Sequence, residues 1–434
     1  MSEDVTGKIM RFRWLIFLVL ALAYLFVYFH RLSLSVVAND LIKEFQTTAS
    51  VMGLLGSIYF YCYAFMQFPA GLLSDSLGPR KSVTLFLIIA SAGSIIFGFA
   101  PTIEVAFFGR IMVGLGVSMV FIPTMKILSR WFYPHEFAFM TGILNAIGGI
   151  GVLAATWLLA LMTLFLGWRV SFELIGCCTF IIVAMVWFIV SDRPEDKGWP
   201  SLKELGKEKG KVSGPVRQIP LLQGVRHVVS EKYFWPVAIW FFFDCGIFFG
   251  FGALWSGPYL MDVYGMTRAQ VGTVLSMIAW GMIVGSPPLG FISDKFMKSR
   301  KKPFVLCNLV LVIELVFLKI YPAGLSRVAL FIFFFVFSIC ASSVVILAFT
   351  IIKELFPVEI AGTSTGMVNL FPFLGGAVFM PLLGRVLDAY PRSDAGGYSL
   401  DAYSMLILIL LGSSVLSLIC TLLTKETYPK KGSF

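Results

Sequence analysis

Charged side chains are rare in the long apolar runs of this sequence, and the clearest example is Arg31 in 28-YFHRLSLSVV-37. An arginine keeps its charge, and its planar fork of N–H donors matches a carboxylate or a phosphate. Arg31 lies 18 residues beyond Arg13, about 27 Å along a helix. That spacing fits an arginine that reaches the far surface, but the apolar continuation through Val37 favours a deeper position. We therefore predict that Arg31 binds an anion.

Two titratable residues in the apolar runs could carry a proton. His30 titrates near neutrality, although Arg31 beside it should lower its proton affinity. Asp244 lies in IWFFFDCGIFF, where desolvation favours the neutral acid. We predict a proton-coupling role for both. The alternatives are a packing role for His30 and a structural pair with a buried cation for Asp244.

Polar and aromatic positions in other apolar runs complete a candidate binding site. Tyr59, Tyr63 and Gln67 share one helix face at steps of four. Small-molecule sites combine a few placed polar groups with aromatic walls, although each such residue alone is more often a packing residue. Lys126 is a further candidate anion contact, unless it extends to the nearer surface. The predicted substrate-binding residues are Tyr28, Arg31, Tyr59, Tyr63, Gln67, Lys126, Asn145, Trp255, Tyr259 and Asn369.

The elements that must position these residues are membrane helices. Of 434 residues, 58% are hydrophobic and 13% are charged, whereas a soluble domain is about half apolar and about a quarter charged. A spanning helix needs roughly 20 apolar residues. Twelve runs are long enough, near residues 13–38, 52–74, 81–100, 105–128, 138–162, 169–190, 234–262, 269–290, 303–322, 326–350, 361–387 and 403–424.

The distribution of Lys and Arg predicts the orientation. With both termini in the cytoplasm, most of the 34 Lys and Arg residues fall on cytoplasmic loops, as the positive-inside rule requires. The net charge of +10 is therefore a topology signal and needs no nucleic-acid partner. The N-terminus imitates a signal peptide, but its apolar run continues, so we expect an uncleaved first helix. The seven cysteines show no metal-like spacing, and we expect neither a metal nor a cofactor.

A repeat divides the chain near its middle. The turn 71-GLLSDSLGPRK-81 resembles 290-GFISDKFMKSRKK-302, and the two Gly-to-Asp steps lie 219 residues apart. Pro134-x-Glu136 matches Pro357-x-Glu359 at an offset of 223. Two pairs at nearly one offset indicate duplication of a six-helix unit. We predict bundles over residues 1–190 and 234–434, joined by a cytoplasmic linker over 191–233.

These motifs resemble those of the major facilitator superfamily. Gly71-x-x-x-Asp75-x-x-Gly78-x-Arg80-Lys81 is similar to its signature loop, and Arg110-x-x-x-Gly114-x-Gly116 to its second motif. The resemblance spans essentially the whole chain and implies an all-α fold of two pseudo-symmetric six-helix bundles that expose a central site alternately. Weak ion pairs at the turns suit a reversible gate. The predicted cytoplasmic gate residues are Asp75, Arg80, Arg110 and Asp294, with plain solvation as the alternative.

Within the superfamily, the helix-one arginine resembles that of organophosphate antiporters and organic anion–cation symporters. The antiporters have a second arginine in helix seven, where this chain has Phe249. The symporters often carry acids where this chain has His30 and Val117. We therefore expect a monomeric inner-membrane transporter of a small organic anion, such as a carboxylate, moved with protons. The alternative is an amino acid or short peptide, with its ammonium on Asp244; organophosphate exchange is less favoured.

Other functional classes lack their motifs. Gly362-Thr363-Ser364-Thr365-Gly366 matches a serine-hydrolase pattern, but that motif needs a strand–turn–helix elbow, and here it opens a membrane helix. No Walker A loop is present, so transport would use an ion or substrate gradient. A channel-like facilitator and a sensor remain the alternatives. Saturable uptake in proteoliposomes separates transport from sensing.

Overall fold

The protein was analysed as a computed structural model, which describes residues 3–200, 221–357, 360–393 and 396–428. These residues are almost entirely helical, and their only β-type pairing is an isolated bridge between Arg392 and Tyr398. The predicted all-α fold is confirmed.

The described residues of the first half form eight α-helices, with short 3-10 or π segments where the hydrogen-bond register changes. A 3-10 turn, Ser33–Val36, follows the first helix, and a π segment, Ala154–Leu158, precedes the eighth. The helices are α1 (Glu3–Leu32), α2 (Ala38–Glu44), α3 (Ala49–Ser76), α4 (Pro79–Gly98), α5 (Ile103–Ser118), α6 (Phe121–Trp131), α7 (Pro134–Leu153) and α8 (Leu159–Ile189).

The second half is built in the same way. Its π segments are Phe248–Trp255, Ile292–Met297 and Ile339–Ser343. The helices are α9 (Leu221–Ser230), α10 (Phe234–Ile247), α11 (Ser256–Tyr264), α12 (Arg268–Phe291), α13 (Lys301–Ile320), α14 (Arg327–Ser338), α15 (Val345–Leu355), α16 (Ala361–Val368), α17 (Leu370–Asp388) and α18 (Leu400–Leu423).

The number of membrane crossings follows from one kink. Within the residues that the structure describes, eleven stretches are long and apolar enough to span a bilayer, and one of them, Phe139–Ile189, has 51 residues. A helix of that length would measure about 76 Å, more than twice the bilayer core of about 30 Å. Gly167 breaks it with φ 77° and ψ 164°, a conformation open mainly to glycine. This stretch therefore supplies two crossings, which gives the predicted twelve.

The described chain groups into two compact units that differ from the two sequence halves. The first unit contains Met1–Arg31, Tyr61–Ala155 and Phe165–Pro215. The second contains Leu32–Phe60, Thr156–Leu164 and Val216–Phe434. The segment that joins α1 to α3 thus belongs, by its contacts, with the second half. The predicted bundles over residues 1–190 and 234–434 stay a prediction.

Glycines allow close helix contacts inside the first unit. A Cβ on Gly116 would lie 2.5 Å from the backbone N of Ala90, and one on Gly151 would overlap the carbonyl oxygen of Leu25. These residues therefore let α5 approach α4 and α7 approach α1. Membrane helices use small residues in this way because they associate through packing and not through the hydrophobic effect.

Candidate functional site

Arg31 lies near the end of α1, between two aromatic rings. Its side chain is buried, with 7% exposure. Its guanidinium carbon is 4.6 Å from the centre of the Tyr28 ring and 5.0 Å from that of Tyr63 in α3. Arginine stacks well on aromatic faces, and such contacts gain strength when water is excluded. The sequence grouped these three residues, and the structure brings them together.

Arg110 of α5 approaches the same part of α1. Its side chain is 1% exposed, and Nη1 and Nη2 each donate a hydrogen bond of 3.3 Å to the carbonyl oxygen of His30. Two buried guanidinium groups thus contact one turn of α1, that of Arg31 at the Tyr28 ring and that of Arg110 at the His30 carbonyl. The sequence assigned Arg110 to the gate with Arg80, but the structure brings it to His30. The available signal was a charged side chain within the apolar run 105–128, because charges inside a membrane span are costly and often functional.

The side of α1 that carries Tyr28 also faces α7. A Cβ on Gly148 would lie 2.8 Å from the Tyr28 ring, and Asn145 is half-buried about one helical turn before Gly148. Gln67 is half-buried about one turn beyond Tyr63. Asn145 and Gln67 therefore stay candidates for the polar lining around Arg31.

Lys126 occupies a different place. Its Nζ donates to the carbonyl oxygen of Ser74 at 3.1 Å, and it lines a polar cavity of about 220 Å³ together with Arg130 and Asp192. Ser74 follows Tyr63 by 11 residues in α3, about 16 Å along that helix. The structure therefore separates Lys126 from Arg31.

In the second unit, the predicted aromatic residues use their polar atoms within the protein. Trp255 Nε1 donates to the carbonyl oxygen of Met380 at 3.0 Å, and the Tyr259 hydroxyl donates to that of Pro322. Both side chains are fully buried, as is that of Tyr59. In this conformation Trp255 and Tyr259 serve packing, and their substrate roles stay a prediction. The last predicted residue, Asn369, is half-buried between α16 and α17.

The two proton candidates are both fully buried. The His30 ring packs edge-on against Phe29. Asp244 lies in α10 of the second unit, close to Cys307 of α13, and neither carboxylate oxygen has a hydrogen-bond partner among the described residues. No cluster of metal-ligating side chains occurs in the part of the chain that the structure describes.

The first charged turn ends in a helix cap that the sequence did not predict. The side chain of Asp75 lies outside the described residues. Asp192, which follows α8, accepts a hydrogen bond of 2.6 Å from the backbone N–H of Arg80 at the start of α4. Gly78 has φ 86°, and a Cβ there would lie 2.7 Å from Asp192 Oδ2. Arg80 itself lies over the Trp187 ring at 4.7 Å.

The second turn repeats this arrangement with other residues. Glu426, which follows α18, accepts from the backbone N–H of Arg300 at 2.8 Å, just before α13. Burial alone would raise the pKa of Glu426, but hydrogen bonds from Ser299 and from backbone N–H groups outweigh it and hold the pKa below its usual value. Asp294 forms an ion pair with Arg300, which also binds Glu354 at 2.9 Å. The predicted gate residue Asp294 thus belongs to a network within the second unit.

Comparisons with known proteins agree with this architecture. The profile of the Major Facilitator Superfamily matches residues 20–380 and 245–434. The chain is 25% identical over 433 residues to the "Probable galactarate/D-glucarate transporter GarP" of Escherichia coli (strain K12), with 89% of this chain and 91% of the relative covered. It is also 25% identical over 396 residues to the hexuronate transporter of Bacillus subtilis (strain 168), with 88% and 82% covered.

A solved structure shows the same fold. A bacterial homologue of the human lysosomal transporter Spinster, in an inward-facing and unoccupied conformation, superposes with a TM-score of 0.77 at 18% identity. The match covers 95% of this chain and 96% of that one. Together with twelve crossings, the repeated turn and a profile match along nearly its whole length, these likenesses establish that the chain belongs to the major facilitator superfamily.

Proposed function

We propose that this membrane transporter carries a small organic anion of the carboxylate class, by alternating access and together with protons. We place it in the inner membrane of a bacterial-type cell, as a monomer with both termini in the cytoplasm. The observation that carries the proposal is that two buried guanidinium groups contact one turn of α1, Arg31 at the Tyr28 ring and Arg110 at the His30 carbonyl. Two buried cations that contact one turn of an apolar helix favour an anionic partner, because charges attract most strongly where water is excluded.

The surroundings of Arg31 favour a planar anion. The Tyr28 and Tyr63 rings fix the guanidinium plane through cation–π contacts. A guanidinium held in one plane can donate two parallel hydrogen bonds to a carboxylate. The relatives named for galactarate/D-glucarate and hexuronate support a sugar acid as the first cargo to test.

Phosphate esters are a weaker candidate. In the second unit, Phe249 packs on Phe60 with ring centres 4.6 Å apart, so the helix-seven position that holds an arginine in the antiporters is apolar here. The alternative cargo is an amino acid or short peptide, with its carboxylate on Arg31 and its ammonium on Asp244. The buried Asp244 carboxyl supports this alternative as well as a role in proton transport.

Ligand binding by the purified protein tests the proposal. A thermal-shift screen against galactarate, glucuronate, an amino acid, a neutral sugar and a sugar phosphate identifies the cargo class. For the ligand that binds, Arg31→Ala should abolish binding, and Arg31→Lys should weaken it about tenfold or more, because lysine keeps the charge but loses the fork. Arg327→Ala, at an exposed position, is the matched control. Unchanged affinity in Arg31→Ala removes the site assignment.

Proton coupling needs a separate measurement in proteoliposomes. Asp244→Asn should lose accumulation driven by a proton gradient and retain exchange of the substrate across the membrane, because exchange needs no net proton movement. Asp401→Asn, which changes an exposed acid of α18, should keep both activities. Normal uphill uptake by Asp244→Asn excludes this residue as the proton carrier.

A further inference from the structure

Asp388, the last residue of α17, caps the start of α3. Its Oδ1 accepts from the backbone N–H of Ala49 at 2.9 Å, and its Oδ2 accepts from that of Ser50 at 2.7 Å. The first backbone N–H groups of a helix have no partner within the helix. A carboxylate that accepts from two of them also interacts favourably with the helix dipole. The cap on α3 is therefore supplied by a residue 338 to 339 positions away in the sequence.

The packing around Asp388 fixes this cap. A Cβ on Gly384, about one turn earlier in α17, would overlap the carbonyl oxygen of Ala49. The Tyr398 hydroxyl donates to Asp388 Oδ1 at 3.3 Å, and Arg392 donates to that hydroxyl at 2.9 Å. The backbones of α3 and α17 thus touch where the cap forms.

Nearby contacts join residues at the offset of the sequence repeat. A Cβ on Gly257 would overlap the carbonyl oxygen of Ser35, and Asn39 Nδ2 donates to Asp262 Oδ1 at 3.0 Å. These pairs lie 222 and 223 positions apart, close to the repeat offsets of 219 and 223. When a residue contacts its own counterpart, the contact lies near the symmetry axis. This region is therefore where the ends of the two repeats meet.

Asp262 and Asp388 each accept hydrogen bonds from residues of both repeats. Asp262 also accepts from the backbone N–H of Tyr398 at 3.1 Å and from the Tyr403 hydroxyl at 2.8 Å. Asp262, Asp388 and the groups that donate to them will be called the latch. Arg268 and Asp40 add an ion pair between the same segments.

The repeat counterpart of the α3 start needs no such partner. The start of α12 is capped within its own turn, because Thr267 accepts from the backbone N–H of Gln270 and the Gln270 side chain accepts from the backbone N–H of Thr267 at 3.0 Å. In a capping box of this kind the helix satisfies its own donors. Of these two helix starts, α3 is the one that takes its cap from a distant helix.

We propose that Asp388 is a gating residue for transport, which holds the latch closed by capping α3 and is released when this end of the protein opens. The inference rests on the alternating access of the proposed function. In the open state Ala49 and Ser50 lose their acceptor, so the cap shifts the balance towards closure. Carboxylate–N–H hydrogen bonds stabilise strongly enough to change such a balance about tenfold.

The test measures opening at this end directly. Ser35 is fully buried beside Gly257, so the variant Ser35→Cys places a thiol that a membrane-impermeant maleimide reaches only after opening. Alkylation at position 35 is read by peptide mass spectrometry, which separates it from the native cysteines. In this background, Asp388→Ala should raise the alkylation rate about tenfold, and Asp388→Asn, which keeps one acceptor, about threefold. Asp401→Asn should leave it unchanged.

The readouts separate this inference from the proposed function. Size-exclusion behaviour and the unfolding temperature establish that Asp388→Asn is folded, should Asp388→Ala fail to fold. An unchanged alkylation rate in a folded Asp388→Asn variant overturns the gating role, whatever its transport rate. Failure of every anion to bind the parent protein overturns the proposed cargo and leaves the gating result intact.

Discussion

The two ends of α3 differ in the origin of their hydrogen-bond partners. At its start, Asp388 of the second repeat caps Ala49 and Ser50 of the first. At its far end, the next helix, α4, is capped by Asp192 of the same sequence half. Glu426 caps α13 in the same manner inside the second sequence half. Contacts of the first kind must break when the repeats separate, whereas caps of the second kind can persist in every conformation.

The largest expected effect comes from preventing closure at the Gly257–Ser35 contact near the latch. In Gly257→Ala, the new Cβ would overlap the carbonyl oxygen of Ser35, a contact that no side-chain adjustment relieves. We expect an initial transport rate at least about tenfold lower, equivalent to roughly 1.4 kcal/mol or more, because this end cannot close. The matched control is Gly290→Ala, where nothing lies within 4 Å of the new Cβ. A parental rate in Gly257→Ala would contradict the assignment of this contact to closure.

Each charged turn contains a residue with positive φ, and substitution of that residue should have opposite effects on stability in the two turns. Gly78→Ala combines φ 86° with a contact of 2.7 Å between the new Cβ and Asp192. We expect it to lower the free energy of unfolding by about 2 kcal/mol. In the second turn Lys298 has φ 44° and ψ 47°, a left-handed conformation that costs a lysine about 1 kcal/mol. Lys298→Gly should therefore be neutral or slightly stabilising. Unfolding temperatures in one detergent test both, and equal losses would remove the distinction between the turns.

Removal of a cap within one sequence half should lower stability without opening the latch. Asp192→Ala and Glu426→Ala should each lower the free energy of unfolding by about 1 kcal/mol, and with it the unfolding temperature. Alkylation at position 35 in the Ser35→Cys background should stay at the parental rate. Glu195→Gln, at an exposed acid near Asp192 in the chain, controls for lost charge. Faster alkylation in either variant would show that these caps also take part in gating.

The smallest effect is a dependence on pH. The pKa of Glu426 is held below its usual 4.5, so its cap contributes fully above the unfolded pKa and is lost as the pH falls through the folded one. The difference in unfolding temperature between the parent and Glu426→Gln should shrink between about pH 6 and about pH 3. If the difference in unfolding temperature grows as the pH falls, the assignment of a lowered pKa to Glu426 is contradicted.

The sequence predicted those features that one segment specifies by itself. Run lengths gave twelve crossings, the repeated Gly-to-Asp turns gave the duplication, and Arg31 stood out because a permanent charge in an apolar helix is expensive. The partners of loop acids were not predictable in this way. Nothing near Asp192, Asp388 or Glu426 in the chain indicates which distant helix start each one caps. Trp255 suited a ligand site by residue type, but only tertiary contacts show that its indole N–H binds the carbonyl of Met380.

Both proposals imply that anion binding at Arg31 and opening of the latch belong to one alternating-access cycle, and one measurement tests this directly. The alkylation rate at position 35 is measured in the Ser35→Cys background with and without the carboxylate that binds, and again after adding Arg31→Ala. We predict that the ligand changes the alkylation rate of the Ser35→Cys protein and has no effect on that rate once Arg31→Ala is added. A ligand effect that survives Arg31→Ala, or a bound ligand that leaves the rate unchanged in the first protein, would contradict it.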